Sequence, residues 1–502
     1  MRTGGVLNFL GRLLLVLSLL LLTPIPFSLY YHDGMVGAFI LSALMGAIAG
    51  GLLVALFRPE KELGYRDGFA IVVLSWVMLA FLGALPYYFS GQMVSFIDCY
   101  FESMSGFTTT GSTILVEVEI LSRSLLFWRA LTHWLGGMGI IVLTLAVLPL
   151  LGVGGMQLFQ AEMPGPTKDR LAPRIQSTAR ILWSVYVLFT LFEVVLLMLG
   201  GVDFFNALCH SFATLATGGF STHTTSIAFY DSIYVELVVI LFMFLAGINF
   251  ALHFQMLTGR SLVFWRNEEL RLYVALIVTA IVLIMTANYV YGTISTFGDD
   301  LRQVVFQVVS VVTTTGFGTA DFDQWPSMCK VLLVSLMFVG GCAGSTAGGI
   351  KVVRILLFFK YARLQLQRLV HPHQVGGISY GGSRVSQEIL IAILGFFALY
   401  LVFFLAASLM VTAMGVDIVT GITAVIATLN NIGPGLNLVG PSQDFGHLPD
   451  TVKVVLTFCM LAGRLELYTL AVLLTPGFWK MARRPLLRSW ASFGGQVSHP
   501  KP

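Results

Sequence analysis

Four short strings in this sequence share a pattern suited to one kind of chemistry. They are Thr109-Thr110-Gly111-Ser112, Thr217-Gly218-Gly219-Phe220, Thr314-Thr315-Gly316-Phe317 and Asn431-Ile432-Gly433-Pro434. Each sets a Thr or Asn two positions before a glycine, and each closes a short apolar stretch. Successive glycines stand 108, 97 and 117 positions apart, which is an internal period. Glycine lets the backbone approach a ligand closely. Carbonyl oxygens aimed at an axis can replace the hydration shell of a cation. One such string alone reads as an ordinary turn. Four at matching places in similar units predict a ring of backbone carbonyls that would hold a monovalent cation.

The elements that must position this ring follow from hydropathy. The strings end stretches near 94–109, 203–217, 298–314 and 417–431, each too short to cross a bilayer and better suited to a re-entrant hairpin. A short helix there would aim its C-terminal, partially negative end at the axis. Ten longer apolar blocks lie near 7–29, 35–57, 68–88, 125–151, 179–200, 232–257, 271–291, 329–358, 388–413 and 451–475. The repeating unit is therefore span, re-entrant helix, glycine strand, span. The expected divisions are an N-terminal helix pair over 1–60, four repeats over 61–165, 166–262, 263–370 and 371–484, and a tail over 485–502.

Composition sets the class. The chain has 502 residues, of which 57% are hydrophobic and 11% charged. Soluble domains carry about 25% charged residues, so this chain cannot coat a soluble surface. A disordered chain would be charge-rich and poor in apolar residues. Long apolar blocks argue against an outer-membrane barrel. An all-α polytopic membrane protein remains. The net charge of +4 gives no sign of a nucleic-acid partner. No two of the five cysteines are closer than thirteen positions, and the nine histidines form no H-E-x-x-H pair. There is no P-loop and no dinucleotide fingerprint. A membrane-embedded enzyme lacks any catalytic cluster here, so no enzyme and no organic cofactor are expected. Arg2 and Arg12 before the run Leu13–Leu22 mimic a signal peptide, but no A-x-A site follows, and the segment reads as a retained first span.

Charge gives the orientation. If only the ten long blocks cross, 23 of the 29 Lys and Arg residues fall on the side of the termini. Arg123, Arg129, Arg302, Lys330 and Lys453 fall on the other side, and Arg464 falls inside a span. The positive-inside rule puts both termini in the cytoplasm. Fifteen of the 25 acids, among them Glu102, Glu117, Glu119 and Glu236, fall on the outer side, where an acidic mouth would concentrate cations.

A second pattern interrupts the last span of the third repeat. Gly340, Gly341, Gly344, Gly348 and Gly349 surround Ser345 and Thr346, with Lys351 just after. So many glycines make poor helix, and the stretch reads as an unwound break below the ring. Close small-residue packing is the competing reading. Arg464 is expensive at membrane depth and should face a cavity or a partner. Glu466, two positions on, does not share its helix face. Glu193 is a second buried ionisable residue, with a structural partnership outweighing a coupling role. Asn249 and His253, four apart, read as packing groups.

These residues resemble a known family. Phe107–Ser112, the run Trp128–Gly139, Gly154–Phe159, Thr313–Gly318, Gly340–Gly349 and Asn430–Gly435 are similar to the membrane subunits of Trk potassium-uptake systems, in the Trk/Ktr/HKT superfamily. The resemblance covers nearly the whole chain. It implies one pore per subunit in the bacterial inner membrane. K+ would be selected at the single glycines Gly111, Gly219, Gly316 and Gly433, with Thr109, Thr110, Thr217, Gly218, Thr314, Thr315, Asn431 and Ile432 completing the filter. It implies that 340–349 is an intramembrane gate and that Arg464 stands beside it. It further implies a homodimer and a cytoplasmic NAD- or ATP-binding regulatory subunit of the TrkA kind, for which the basic loops 166–180 and 351–384 are candidate docking sites. Relatives that favour sodium carry serine in place of the first glycine, and this chain keeps Gly111. The fourth string departs most, since Pro434 has a locked φ, and a ring of four unequal quarters is expected. A cation symporter moving K+ with H+ or Na+ by alternating access is the alternative.

Overall fold

The computed structural model describes residues 3–59, 64–146, 171–259, 261–292, 296–372 and 376–479. The run Gly154–Phe159, the stretch 166–170 and the tail 485–502 lie outside the described residues. The described residues are mostly helical, and among them one two-stranded hairpin pairs Ser379–Tyr380 with Ser383–Arg384.

An N-terminal pair, Thr3–Leu20 continuing through Ile25–Tyr31 and then Val36–Leu56, precedes four similar units. The long first helices of the units are Tyr65–Phe89, Leu171–Leu199, Glu268–Val290 and Gln387–Ala413. The short helices are Phe96–Phe107, Phe204–Leu215, Phe297–Val312 and Ile418–Leu429, where the apolar stretches place them. Asp203 and Asp417 cap two of them by accepting the N–H of Asn206 and Thr420 at 3.2 and 3.1 Å. Asp98, Asp299 and Asp300 put negative charge in the first turn of the other two.

Two of the second helices differ from the expected continuous spans, and a third shows the break expected from its glycines. Arg123–Ala146 runs unbroken through its described length. The block 232–257 is two helices, Ile233–Ala246 and Phe250–Leu257, bent by 103°. The block 451–475 is likewise Asp450–Arg464 and Leu467–Leu474, bent by 115°. The block 329–358 is Ser327–Met337 and Val352–Val370 with a non-helical stretch between them. Hydropathy could not find the bends, because both arms of each are apolar. Gly247 and Asn249 mark one bend, and Glu466 at φ 57° marks the other.

Two apolar cores carry the assembly. One joins the N-terminal pair with the first and fourth units, through residues such as Leu14, Phe39, Phe101 and Leu456. The other joins the second and third units around Val239, Phe242 and Phe306. The last turns of the four short helices belong to these cores, Phe107 and Leu429 to the first and Leu215 and Val312 to the second.

Candidate functional site

All four short helices stop in the same way. Thr109, Thr217, Thr314 and Asn431 adopt left-handed backbone at φ 52–56°. Their N–H groups, and those of the next residues, bond back into the last turn. Thr110 N donates to Ser105 O, Gly218 N to Ala213 O, Thr315 N to Ser310 O and Ile432 N to Ala427 O, at 2.8–2.9 Å. This is the Schellman closure, usually built on glycine. A β-branched threonine at positive φ is a steric outlier, and three of the four are threonine. Such strain persists only where the surroundings over-determine it, typically at functional sites.

Two residues after each strained position comes the glycine, again at positive φ: 83° for Gly111, 80° for Gly219, 81° for Gly316 and 104° for Gly433. A methyl group on Gly111 would collide with the carbonyl oxygen of Gly218. On Gly219 it would collide with that of Thr315, and on Gly316 with that of Ile432. On Gly433 it would lie 3.1 Å from the carbonyl oxygen of Thr110. Each unit thus leans on the next, and the fourth closes on the first. The twelve residues Thr109–Gly111, Thr217–Gly219, Thr314–Gly316 and Asn431–Gly433 are brought together in one ring, with the side chains of its non-glycine members buried.

The quarters are unequal, as Pro434 led one to expect. The joint between the fourth and first units is the loosest. It is bridged instead by side chains: Ser112 Oγ donates to Gly433 O at 2.9 Å, and Asn431 Nδ2 donates to Thr110 Oγ1 at 2.8 Å.

The glycine-rich stretch lies against the helix-end side of this ring. Thr346 Oγ1 donates to Leu215 O at 2.9 Å, at the end of the second short helix, and more weakly to Ala246 O at 3.3 Å. Gly348 N donates to Thr314 Oγ1 at 2.6 Å. A methyl group on Gly348 would strike Asn430 O in the fourth unit. Arg464, 2% exposed, ends the helix Asp450–Arg464 and donates to Thr346 O at 2.8 Å and to Gly136 O of the first unit at 3.0 Å. The stretch therefore touches all four units, directly or through Arg464. Lys351 Nζ bonds Ala347 O at its exit.

The sequence-predicted residues Gly340, Gly341, Gly344, Ser345, Gly349 and Lys351 fall in or beside this stretch. Ser345 Oγ closes it locally on Cys342 O at 2.6 Å. Gly341 packs against Gly247 O, and Gly344 against the Asn249 side chain. Asn249 caps the helix Phe250–Leu257, and His253 Nε2 lies 2.8 Å from Leu245 O, so both sit at the bend as packing groups. Glu466 pairs with Arg354 rather than with Arg464. Glu193 is fully buried beside Thr214.

Three readings of charge need correction. Arg129 and Lys453, counted among the outer-side charges from the sequence, are 3% exposed inside helices. Arg129 pairs with Glu102 at 2.6 Å and Lys453 with Asp98 at 2.6 Å. Glu102 and Glu236 do not contribute to an open acidic mouth, because each is buried in an ion pair, Glu236 with Arg302 at 2.6 Å. Arg464 is accordingly not alone as a buried cation. The acid at Glu119 is half-exposed in the loop beyond the ring. Its partial burial would raise its carboxyl, but the hydroxyl and N–H of Thr224 both donate to it and hold it below its usual range.

Sequence reasoning also missed Glu269. Its buried carboxylate accepts the N–H groups of Ala343 and Val353, at 2.7 and 3.1 Å, and so grips both ends of the glycine-rich stretch from the third unit's first helix. The signal was an acid two positions before the apolar block 271–291.

Comparison with known proteins gives the family. Residues 37–480 match the family model described as TrkH, cation transport protein. The chain is 44% identical over 484 residues to the Trk system potassium uptake protein TrkH of Escherichia coli K12, covering 96% of this chain and all of that one. It is 36% identical over 481 residues to TrkG of the same strain, covering 95% of this chain and 98% of TrkG. It superposes on the crystal structure of the potassium transporter TrkH from Vibrio parahaemolyticus with a TM-score of 0.89 at 39% identity, over 96% of this chain and all of that one. A match over nearly the full length in sequence and in fold makes the chain a member of the TrkH family of cation transport proteins.

Proposed function

We propose that this chain is the K+-translocating membrane subunit of a Trk-type uptake system, with the ring of four glycines as its selectivity filter. The closed order of contacts around Gly111, Gly219, Gly316 and Gly433 carries the reading. Short helices ending at the ring turn their negative ends toward it, which favours a cation. Carbonyls in such a ring replace water around a dehydrated ion. K+ enters from the side where Glu119 lies, sheds water at the ring and passes the stretch 340–349 inward, driven by the membrane potential.

In this reading 340–349 is the gate. It blocks the path beneath the ring, and Arg464 adds a positive charge that opposes a cation there. Both termini face the cytoplasm of a bacterial inner-membrane protein, and the pore works as a homodimer under a TrkA-type nucleotide-binding subunit. In this reading the chain divides into the N-terminal pair over 1–60, four pore units over 61–165, 166–262, 263–370 and 371–484, and a tail over 485–502.

Reconstitution in liposomes with ion-flux recording tests this. Currents of many thousands of ions per second that reverse at the K+ potential are expected. Flux strictly tied to H+ or Na+ would replace the gated pore by the symporter. Gly111→Ser is expected to lower the preference for K+ over Na+, and an unchanged preference would remove the ring from its assigned role.

A further inference from the structure

One position recurs on all four short helices, nine residues before the ring glycine. It holds Glu102, His210, Gln307 and Ala424. The first three are buried polar side chains, and each reaches the strand that leaves the ring. Glu102 accepts Thr113 Oγ1 at 3.0 Å and Ile114 N at 3.1 Å. His210 Nε2 meets Ser221 Oγ at 2.9 Å, and Ser221, like Thr113, stands two residues past its glycine. Its Nδ1 lies 2.7 Å from Asn206 O, an acceptor, so Nδ1 carries the proton and Nε2 accepts from the serine. Gln307 Nε2 donates to Ala320 O at 3.1 Å. Ala424 offers nothing, and its neighbour Thr423 takes the task by accepting Leu436 N at 3.0 Å. A helix-to-strand brace is therefore present in every quarter.

Only the first brace is charged, and only it reaches a second quarter. Arg129 Nε donates to Glu102 at 2.6 Å, while its Nη1 donates to Ser221 O at 2.9 Å, two residues beyond Gly219. The guanidinium lies 3.5 Å from the centre of the Phe220 ring. Two oppositely charged groups, 3% and 0% exposed, thus hold the strands after Gly111 and Gly219 in one network.

We infer that Glu102 and Arg129 are positioning residues of ion selectivity: the buried pair sets the spacing of the first two glycines. It does so from behind, without touching the ion. A carbonyl ring discriminates between ions by where its oxygens stand and how stiffly they are held. Planar, directional bonding through an arginine fork fixes a strand more rigidly than a point charge could. A loosened brace would let the first two quarters relax around a smaller ion. This inference rests on the ring acting as the filter.

The test is the K+:Na+ permeability ratio, read from bi-ionic reversal potentials of the reconstituted full chain. The ratio does not depend on how much protein folds. Glu102→Gln is expected to lower it about tenfold. Thr113→Val removes the hydroxyl that donates to Glu102 and accepts Leu115 N at 3.2 Å, keeps the ion pair and is expected to lower it about threefold. If Glu102→Gln does not fold, the Thr113→Val ratio decides. A wild-type ratio in whichever of these variants folds overturns the inference. Gly111→Ser separates the two levels. If it lowers the ratio while the brace variants do not, the brace fails and the ring stands. If Gly111→Ser leaves the ratio unchanged, the ring itself fails.

Discussion

Around the glycines the four units do nearly the same thing, and at the level of the second helices they diverge in three ways. Every short helix ends in a left-handed residue, then a glycine at positive φ, then contact with the next unit. Below that, one second helix runs on, two bend by 103° and 115°, and one unwinds between Met337 and Val352. The difference has a physical basis. A cation at the axis must be surrounded, and only similar contributions from four sides surround it evenly. A passage needs to be obstructed from only one side. In the function proposed above, a single long stretch from the third unit, held by a few residues of the others, is enough. Arg464 is the pin from the fourth unit, and it also reaches the first.

Breaking the even part should have the largest effect. Gly316→Ala places a methyl group against Ile432 O at a backbone angle that costs an L-residue roughly 1–2 kcal/mol before any clash. K+ flux per folded protein should fall at least on the order of a hundredfold, since each 1.4 kcal/mol is about tenfold. Gly433→Ala meets its nearest oxygen at 3.1 Å and should lose less, about tenfold. Equal losses would mean that the looser fourth joint does not matter to conduction.

The uneven part should respond in the opposite direction. Arg464→Ala removes two bonds from a charged donor, each worth about 1.5–3 kcal/mol, together with the charge itself. Basal K+ flux should rise about tenfold or more. Unchanged flux at equal protein level would remove Arg464 from the gate. Thr346→Val takes away a single hydroxyl, about 1 kcal/mol, and leaves Leu215 O and Ala246 O without it. A rise of roughly fivefold is expected, with the K+:Na+ ratio as in the wild type.

The two regions were not equally legible in the sequence. The ring could be read because a repeat multiplies a weak signal. One Thr-x-Gly string says little, and four in register say much. The short helices fell where hydropathy put them, since a stretch too short to cross has few other places to go. The bends at 247–249 and 465–466 could not be read, because a bent apolar helix has the composition of a straight one. The burial of Arg129 and Lys453 was missed for a related reason. Topology counts a charge near a span end as solvated, yet both found a carboxylate on the first short helix, Glu102 and Asp98, that the linear sequence does not bring near. The left-handed threonines were invisible too. Threonine disfavours that conformation, so no propensity argument would have placed it there.

Those threonines allow a smaller and finer test of the comparison. Thr217 and Thr314 share the same backbone strain, at φ 53° and 56°. Glycine at such a position is relieved of the Cβ clash but gains chain entropy when unfolded, and the balance at positive φ favours glycine by about 1 kcal/mol or less. Thr217 Oγ1 bonds only the carbonyl of its own neighbour, Ala216. Thr217→Gly should therefore raise the melting temperature in detergent by a few degrees. Thr314 Oγ1 accepts Gly348 N at 2.6 Å, so this hydroxyl ties the even ring to the uneven stretch. Thr314→Gly should gain nothing in stability, because the lost hydrogen bond, about 1 kcal/mol, offsets the relieved strain. It should instead raise basal flux a few-fold. If both variants were stabilised alike, with flux unaltered, the bond from Gly348 would carry no weight. The ring and the stretch beneath it would then be mechanically independent.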